Sequence, residues 1–422
     1  MIPDRETLPC FEGVPEISGA DGHSDRIQHY LPGQVTIDNV QVGDLVVWRY
    51  SAELWTSGQR KASSIHEISY RACFKPQLAA FFIERFSEER DLVYDPFGGR
   101  GTTAIEAGLL GRMVVQNDIN PLSALLTRPR FFVPAKEAVI DRLSLVPRDF
   151  EKSPQLDLSM FYHPATEKEI LALREFLTGR KHQGEDDEID AWIRMVATNR
   201  LTGHSSGFFS VYTLPPNQAV SPDAQSKINI KRQQVPPYRD THEIIVKKTR
   251  TLTRNLTINE RERLRNAGDS GIFLTGHAAS TPEIRDNSVQ LTVTSPPFLN
   301  IVQYSKDNWL RCWFNAIDDI AIGKKITMTH SLDVWVDMIT WVFHELFRIT
   351  RPGGWVAFEV GEVRNGKIKL DEHIVPLGFE AGFACEAVLI NEQKFTKTAN
   401  IWGVKNNISG TNSNRIVLFR KA

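Results

Sequence analysis

Cysteine is scarce in this chain of 422 residues: Cys10, Cys73, Cys312 and Cys385 are scattered, with no close pair. That spacing excludes a zinc ribbon or a disulfide framework and fits a reducing cytoplasm. No apolar run approaches the roughly 18–20 residues of a membrane helix, and the opening Met1-Ile2-Pro3-Asp4-Arg5-Glu6 lacks the basic and apolar regions of a secretory signal. Net charge is also nearly absent, with 50 Lys and Arg against 51 Asp and Glu. There is no internal repeat and no low-complexity tract. What remains is a globular composition, 41% hydrophobic and 24% charged, which excludes a disordered chain, a collagen and a coiled-coil rod. The length calls for one domain of ordinary size plus a large insertion or a second domain.

The near-zero charge hides an asymmetry. Between Lys227 and Arg265 eleven Lys and Arg stand against four acids, so this segment carries +7 and the rest of the chain −8. A solvated helix face is one reading of such a run; a surface for a polyanion is the other. Around it the chain alternates strand and helix signals. Residues 1–45 read as an irregular arm with one strand near 44–48. Pro76–Phe86 shows helical spacing, Asp91–Asp95 a buried strand, Thr102–Leu110 a helix and Met113–Asp118 a second strand, together the opening of a parallel α/β sheet. Residues 130–265 read as a helical insertion, with helices at Ala165–Leu177 and Asp187–Thr198 and a loop from Leu214 to Pro237. The strand signal returns at Val289–Val293. A helix follows at Val334–Ile349, a turn at Arg351–Gly354, and strands at Trp355–Val360, Cys385–Ile390 and Ile416–Phe419.

Two constellations carry chemistry. The first is Asp95-Pro96-Phe97-Gly98-Gly99-Arg100-Gly101-Thr102-Thr103, where a strand turns into a helix. Glycines there allow a tight turn and close approach of a ligand. No Gly-Lys-Ser/Thr is present, so this is not a phosphate-binding P-loop. Asp95 suits a ligand ammonium and would repel a phosphate, and Asp118, ending the next strand, suits ribose hydroxyls. A ligand with both groups is S-adenosylmethionine. The second constellation is Thr294-Ser295-Pro296-Pro297-Phe298, directly after a strand. Consecutive prolines hold an extended backbone. A hydroxyl beside a fixed carbonyl can accept both hydrogens of one exocyclic amine and turn its lone pair out of conjugation. Phe298 can stack on a base that has left a helix.

These residues resemble the amino-methylating DNA methyltransferases, whose cofactor motif is Asp-Pro-Phe-x-Gly-x-Gly-Thr-Thr and whose catalytic motif is Ser/Asp/Asn-Pro-Pro-Tyr/Phe. The resemblance covers residues 62–130 and 271–420. It implies a Rossmann-like α/β fold with a mixed seven-stranded sheet and a large, mainly helical insertion. Asp95, Pro96, Phe97, Gly98, Gly99, Gly101, Thr102, Thr103 and Asp118 would bind S-adenosylmethionine, joined by Phe74, Lys75 and Pro76 from the segment that closes over its methionine end. Ser295, Pro296, Pro297 and Phe298 would be catalytic. Where the family reads Gly-Asp-Ala this chain reads Gly276-His277-Ala278, which puts the adenine contact on His277, Ala278 or their backbone. Serine in first position is typical of members that methylate cytosine N4. Members making N6-methyladenine more often carry Asp or Asn. Of the four cysteines only Cys10 follows a proline, and it lies in the N-terminal arm rather than after a strand of the α/β unit, so neither motif carries the nucleophile of a cytosine 5-position enzyme.

The resemblance orders the chain as an N-terminal arm (1–61), a cofactor half (62–130), an inserted target-recognition region (131–270) and a catalytic half (271–422). The insertion would hold double-stranded DNA through Lys231, Arg232, Lys247, Lys248 and Arg250, with Phe208, Phe209, Tyr212 and Tyr238 as aromatic surfaces; Asn300, Tyr304, Lys397 and Arg415 are further contacts or solvated surface. It implies neither a metal nor a membrane, and a bacterial or archaeal cytoplasmic setting with a cognate restriction endonuclease as a partner. Methylation of adenine N6, an RNA substrate, or a silent S-adenosylmethionine- and DNA-binding protein stay open as alternative readings.

Overall fold

Two residues, Gly43 and Asp44, turn the chain between its first two strands, β1 (Thr36–Val42) and β2 (Leu45–Ala52). Gly43 takes φ +58 at the first turn position, where glycine is unstrained. The computed structural model describes residues 27–32, 34–54, 62–70, 74–149, 156–213, 219–297, 304–325, 331–363, 368–391 and 414–422. The hairpin corrects the expectation of an irregular arm over its last third. It escaped notice because β1 is exposed along nearly its whole length and so shows no apolar alternation.

The α/β unit follows in the expected order. Helix α1 (Pro76–Phe86) starts with proline at its first position and buries Leu78, Phe81, Phe82, Ile83 and Phe86. Strand β3 (Leu92–Asp95), helix α2 (Thr102–Leu109), strand β4 (Met113–Asp118) and helix α3 (Leu122–Thr127) follow. Among the described residues, six further helices lie in the insertion: α4 (Lys136–Ser144), α5 (Pro164–Gln183), α6 (Glu188–Arg200), α7 (Pro222–Arg232), α8 (Thr241–Thr253) and α9 (Ile258–Asp269). Asp187 and Thr257 close reciprocal capping boxes at the starts of α6 and α9. Helix α7 replaces part of the loop expected at 214–237. It buries only Gln225, so no hydrophobic stripe announces it.

The catalytic half supplies β5 (Ile272–Thr275), β6 (Val289–Thr294), α10 (Tyr304–Phe314), α11 (Asp319–Lys325), α12 (Leu332–Ile349) and β7 (Thr350–Val360). A two-residue ribbon, β8 (Glu362–Val363) with β9 (Ile368–Lys369), precedes α13 (Leu370–Glu380), β10 (Ala384–Asn391) and β11 (Asn414–Arg420). The turn expected at 351–354 lies inside β7. The register against β6 jumps from Val289↔Thr350 to Leu291↔Trp355, so these residues bulge out of the ladder, with Gly353 at φ +76.

The large sheet runs β1-β2-β10-β11-β7-β6-β3-β4-β5. Strands β5, β4, β3, β6 and β7 are parallel, and β11 lies antiparallel between β7 and β10. Those seven strands are the mixed sheet the sequence implied. The N-terminal hairpin extends it to nine, with β2 parallel to β10. On one face the insertion helices share a continuous apolar core with the sheet: Trp192, Ile193 and Leu264 join Val93, Ile105 and Leu291. The indole N–H of Trp192 donates to Thr249 Oγ1 at 3.0 Å, so its polar end is satisfied inside that core. On the other face α12 and α13 pack Trp335, Ile339, Phe343 and Ile374 against Tyr94, Phe358 and Phe419. The order of β3 and β6, sequence-distant yet adjacent, opens a crevice beyond their carboxyl ends. Among the described residues no helix is long and apolar enough to cross a membrane, and no group of three His, Cys, Asp or Glu could hold a metal.

Candidate active site

Strands β3 and β6 bring the two motifs together at that crevice. Thr294, the last residue of β6, donates its hydroxyl to Asp95 Oδ1 at 2.6 Å, and Phe97 N–H donates to the same oxygen at 3.1 Å. Asp95 Oδ2 is buried with no hydrogen-bond partner among the described residues. Burial pushes the Asp95 carboxyl up to about 7. An unsatisfied buried carboxylate oxygen is costly, and a ligand ammonium is the group that would offset it.

The loop is shaped by glycine where nothing else fits. Gly101 caps α2 at φ +77, and a Cβ there would run into Thr127. Gly98 abuts the Gln116 side chain, which is itself held by Ser123 at 2.7 Å and Thr127 at 3.0 Å. Gly99 donates its N–H to Asp118 Oδ2 at 2.8 Å, and Asn120 N–H reaches Oδ1 at 2.9 Å. Asp118 is thus fixed by backbone donors on both oxygens, each keeping a lone pair for a ribose hydroxyl, while burial raises its carboxyl to about 6. Thr102 and Thr103 are buried, and Thr103 donates to Val293 O at 2.9 Å, tying α2 to β6.

The remaining residues expected at the cofactor divide by exposure. Lys75 is exposed at the start of α1, whereas Pro76 is buried and Phe74 packs on the core. His277 is half buried, and burial lowers its pKa, so the ring is neutral. Its Nδ1 accepts from Ala279 N–H at 3.2 Å, which leaves the proton on Nε2 as a donor. The position therefore presents a donor where an aspartate would accept. Ala278 is buried, and Asn117 Nδ2, which sequence reasoning passed over, holds Gly276 O at 3.1 Å.

At the Ser295–Pro297 turn, Trp335 of α12 donates its indole N–H to Pro297 O at 2.9 Å. Pro297's carbonyl is thereby engaged. The Ser295 hydroxyl donates to Glu359 on β7, a carboxylate only 8% exposed that burial pushes up to about 7. Glu359 is the residue the sequence reading missed. It lies within the apolar strand Trp355–Val360, and only the pairing of Thr294 with Phe358 brings it to Ser295. Phe298, Asn300 and Lys397 lie outside the described residues, and only the backbone of Tyr304 is described.

The DNA-contact expectations need correction. Lys248 turns inward with Ile244, Ile245 and Leu252, is 9% exposed, and faces Glu67 at 3.8 Å. Burial, with Arg200 nearby, brings its amine down to about 8. Phe208 and Phe209 are core residues, not aromatic surface. Arg415 is buried in an ion pair with Asp371 at 3.0 Å. Lys231, Arg232, Lys247 and Arg250 are exposed, Arg232 lying over the Tyr212 ring at 3.8 Å, and Tyr238 is exposed while its hydroxyl donates to Glu169 at 2.7 Å.

A strand order of this kind with a paired acid and glycine loop defines an S-adenosylmethionine-dependent methyltransferase. Sequence comparison narrows the class. The profile of the N6/N4 methyltransferase family, described as DNA methylase, matches residues 35–124. Type II methyltransferase M.BsoBI of Geobacillus stearothermophilus is 24% identical over 78% of this chain and 79% of its own length. Type II methyltransferase M.MvaI of Kocuria varians is 34% identical over 30% of this chain and 25% of its own. The rRNA methyltransferase aviRa from Streptomyces viridochromogenes aligns with 86% of this chain and 92% of its own at 11% identity and a TM-score of 0.33. These matches support an amino-methylating DNA methyltransferase family for the chain, N4 and N6 not being distinguished, and its cofactor is S-adenosylmethionine.

Proposed function

We propose that this protein methylates the exocyclic N4 amine of a cytosine flipped out of double-stranded DNA, by direct transfer without a covalent enzyme–base intermediate. The observation that carries the reading is the Ser295–Glu359 pair at the end of β6, beside the orphaned Asp95 oxygen. With its proton given to Glu359, Ser295 Oγ presents lone pairs to a substrate amine. The Pro296 carbonyl accepts the second hydrogen. Both contacts draw the nitrogen lone pair out of conjugation and aim it at the cofactor side of the crevice. S-adenosylmethionine supplies the electrophilic methyl; Asp95 would hold its ammonium and Asp118 its ribose. The methylated amine must then lose a proton, and a carboxylate with a pKa near 7, one hydroxyl away, can receive it through Ser295. Phe298 and a target-recognition role for residues 131–270 complete the proposal.

The first-position serine supports cytosine over adenine. The curated relatives named Type II methyltransferases support a restriction–modification setting with a cognate endonuclease in a bacterial or archaeal cytoplasm. The test is incubation with S-adenosylmethionine and mixed-sequence duplex DNA, digestion to nucleosides and mass spectrometry. N4-methylcytosine is expected. N6-methyladenine would overturn the base assignment and keep the mechanism; 5-methylcytosine would overturn the mechanism.

A further inference from the structure

A short segment, residues 63–70, runs over the cofactor loop and is gripped from several sides. Arg100 donates to Ile68 O at 3.0 Å and Arg130 to Ile65 O at 3.3 Å. Asn199, next to last in α6, donates to Ser69 O at 3.0 Å, and Arg311 of α10 reaches the same oxygen at 3.1 Å. Tyr70 then lies against Gly99. The cofactor loop, the insertion and the catalytic half therefore meet at Ser69 and Tyr70.

Arg200, the residue after Asn199, closes this junction. It is 8% exposed and its guanidinium lies over the Phe208 ring at 4.0 Å. Both of its hydrogen bonds go to neutral acceptors, Asn199 O at 3.0 Å and Asn199 Oδ1 at 2.5 Å. Its charged neighbours are Arg311, which repels it, and Glu67. Glu67 is already engaged by Arg254 and, at 3.8 Å, by Lys248. Burial, reinforced by Arg311, brings the Arg200 guanidinium down to about 10. A buried cation held by neutral groups beside another cation is unfavourable unless an anion completes it. Planar guanidinium donors match the oxygens of a phosphate.

The geometry points to Arg200, supported by Arg311, as a phosphate-binding site that takes a DNA backbone phosphate next to the nucleotide whose base enters the crevice. This rests on the DNA reading above. The shared chemistry is an oxyanion, and the other source is the cofactor's own carboxylate. A buried phosphate contact at the junction of three segments would couple seating of the strand to closure of residues 63–70 over the cofactor loop.

The test compares wild type, Arg200→Gln and Arg200→Lys. Binding of a fluorescein-labelled mixed-sequence 30-base-pair duplex is titrated at several salt concentrations, and S-adenosylmethionine binding is measured by calorimetry without DNA. Loss of one phosphate contact lowers the log–log salt slope by about 0.9. The expectation is that drop for Arg200→Gln, its recovery in Arg200→Lys, and unchanged cofactor affinity, which also shows that the variant folds. An unchanged slope in Arg200→Gln overturns the proposal. An unchanged slope with lost cofactor affinity also overturns it, assigning the site to the cofactor carboxylate. Failure of the wild type to bind duplex DNA at all would instead remove the DNA reading, which the nucleoside analysis tests separately.

Discussion

Two carboxyls with similar perturbed pKa values stand at this site, and their partners tell them apart. Asp95 has one oxygen filled by Thr294 and Phe97 and one left for a cation. Asp95→Asn should weaken S-adenosylmethionine roughly 10–100-fold, the value of a hydrogen bond to a charged group, read by calorimetry. Glu359 faces Ser295 and needs its charge to draw the hydroxyl proton. Single-turnover methylation should therefore rise with pH through about 7, and Glu359→Gln should be slow and lack that limb. The same substitution has an opposite effect on stability. Glu359 binds its proton more tightly folded than unfolded, so wild-type stability falls as pH rises from the ordinary carboxyl range through about 7. Glu359→Gln removes that ionisation and should be about 3 kcal/mol more stable than wild type at pH 8 and close to it at pH 4. Equal stabilities at pH 8 would contradict the buried, unfavourably charged state assigned to it.

At the scale of elements, the crevice was legible because strand ends and motifs coincide in sequence. Asp95 ends β3 and Thr294 ends β6, and both motif segments begin there. The partners that orient them were not legible. Trp335 and Glu359 sit in apolar helix and strand patterns, and only the packing of α12 and the β6–β7 register bring them to Pro297 and Ser295. Lys248 is a different case. It shares a stripe with Ile244, Ile245 and Leu252 on α8, so helical spacing already placed it inward, and counting charge along the segment obscured that. Two predictions belong here. Trp335→Phe leaves Pro297 O without its donor and should cost about 1–3 kcal/mol in thermal unfolding, with a slower methylation rate at unchanged cofactor affinity. Gly101→Ala forces a side chain into Thr127 at a positive φ; it should cost at least about 1–3 kcal/mol and weaken cofactor binding.

Across the whole molecule, the insertion is joined to the methyltransferase sheet by a common core rather than a hinge, so its surface is held in fixed relation to the crevice. The sequence announced that insertion as helical and basic, and its described residues form six helices. It did not announce which exposed cations are already paired: Arg254, Arg263 and Arg265 face out but are engaged by Glu67, Glu89 and Glu188. Lys247 and Arg250 lie one turn apart and exposed on α8. Replacing both by Gln should lower the salt slope of DNA binding by about 1–2, whereas Lys248→Gln should act through folding stability and leave the slope alone.

The most direct test of the account is single-turnover methylation of duplex DNA at saturating S-adenosylmethionine by wild type and Ser295→Ala, with nucleosides identified by mass spectrometry. The account predicts N4-methylcytosine from wild type and a rate roughly 100–1,000-fold lower from Ser295→Ala, with cofactor affinity nearly unchanged. Full turnover by Ser295→Ala would contradict it.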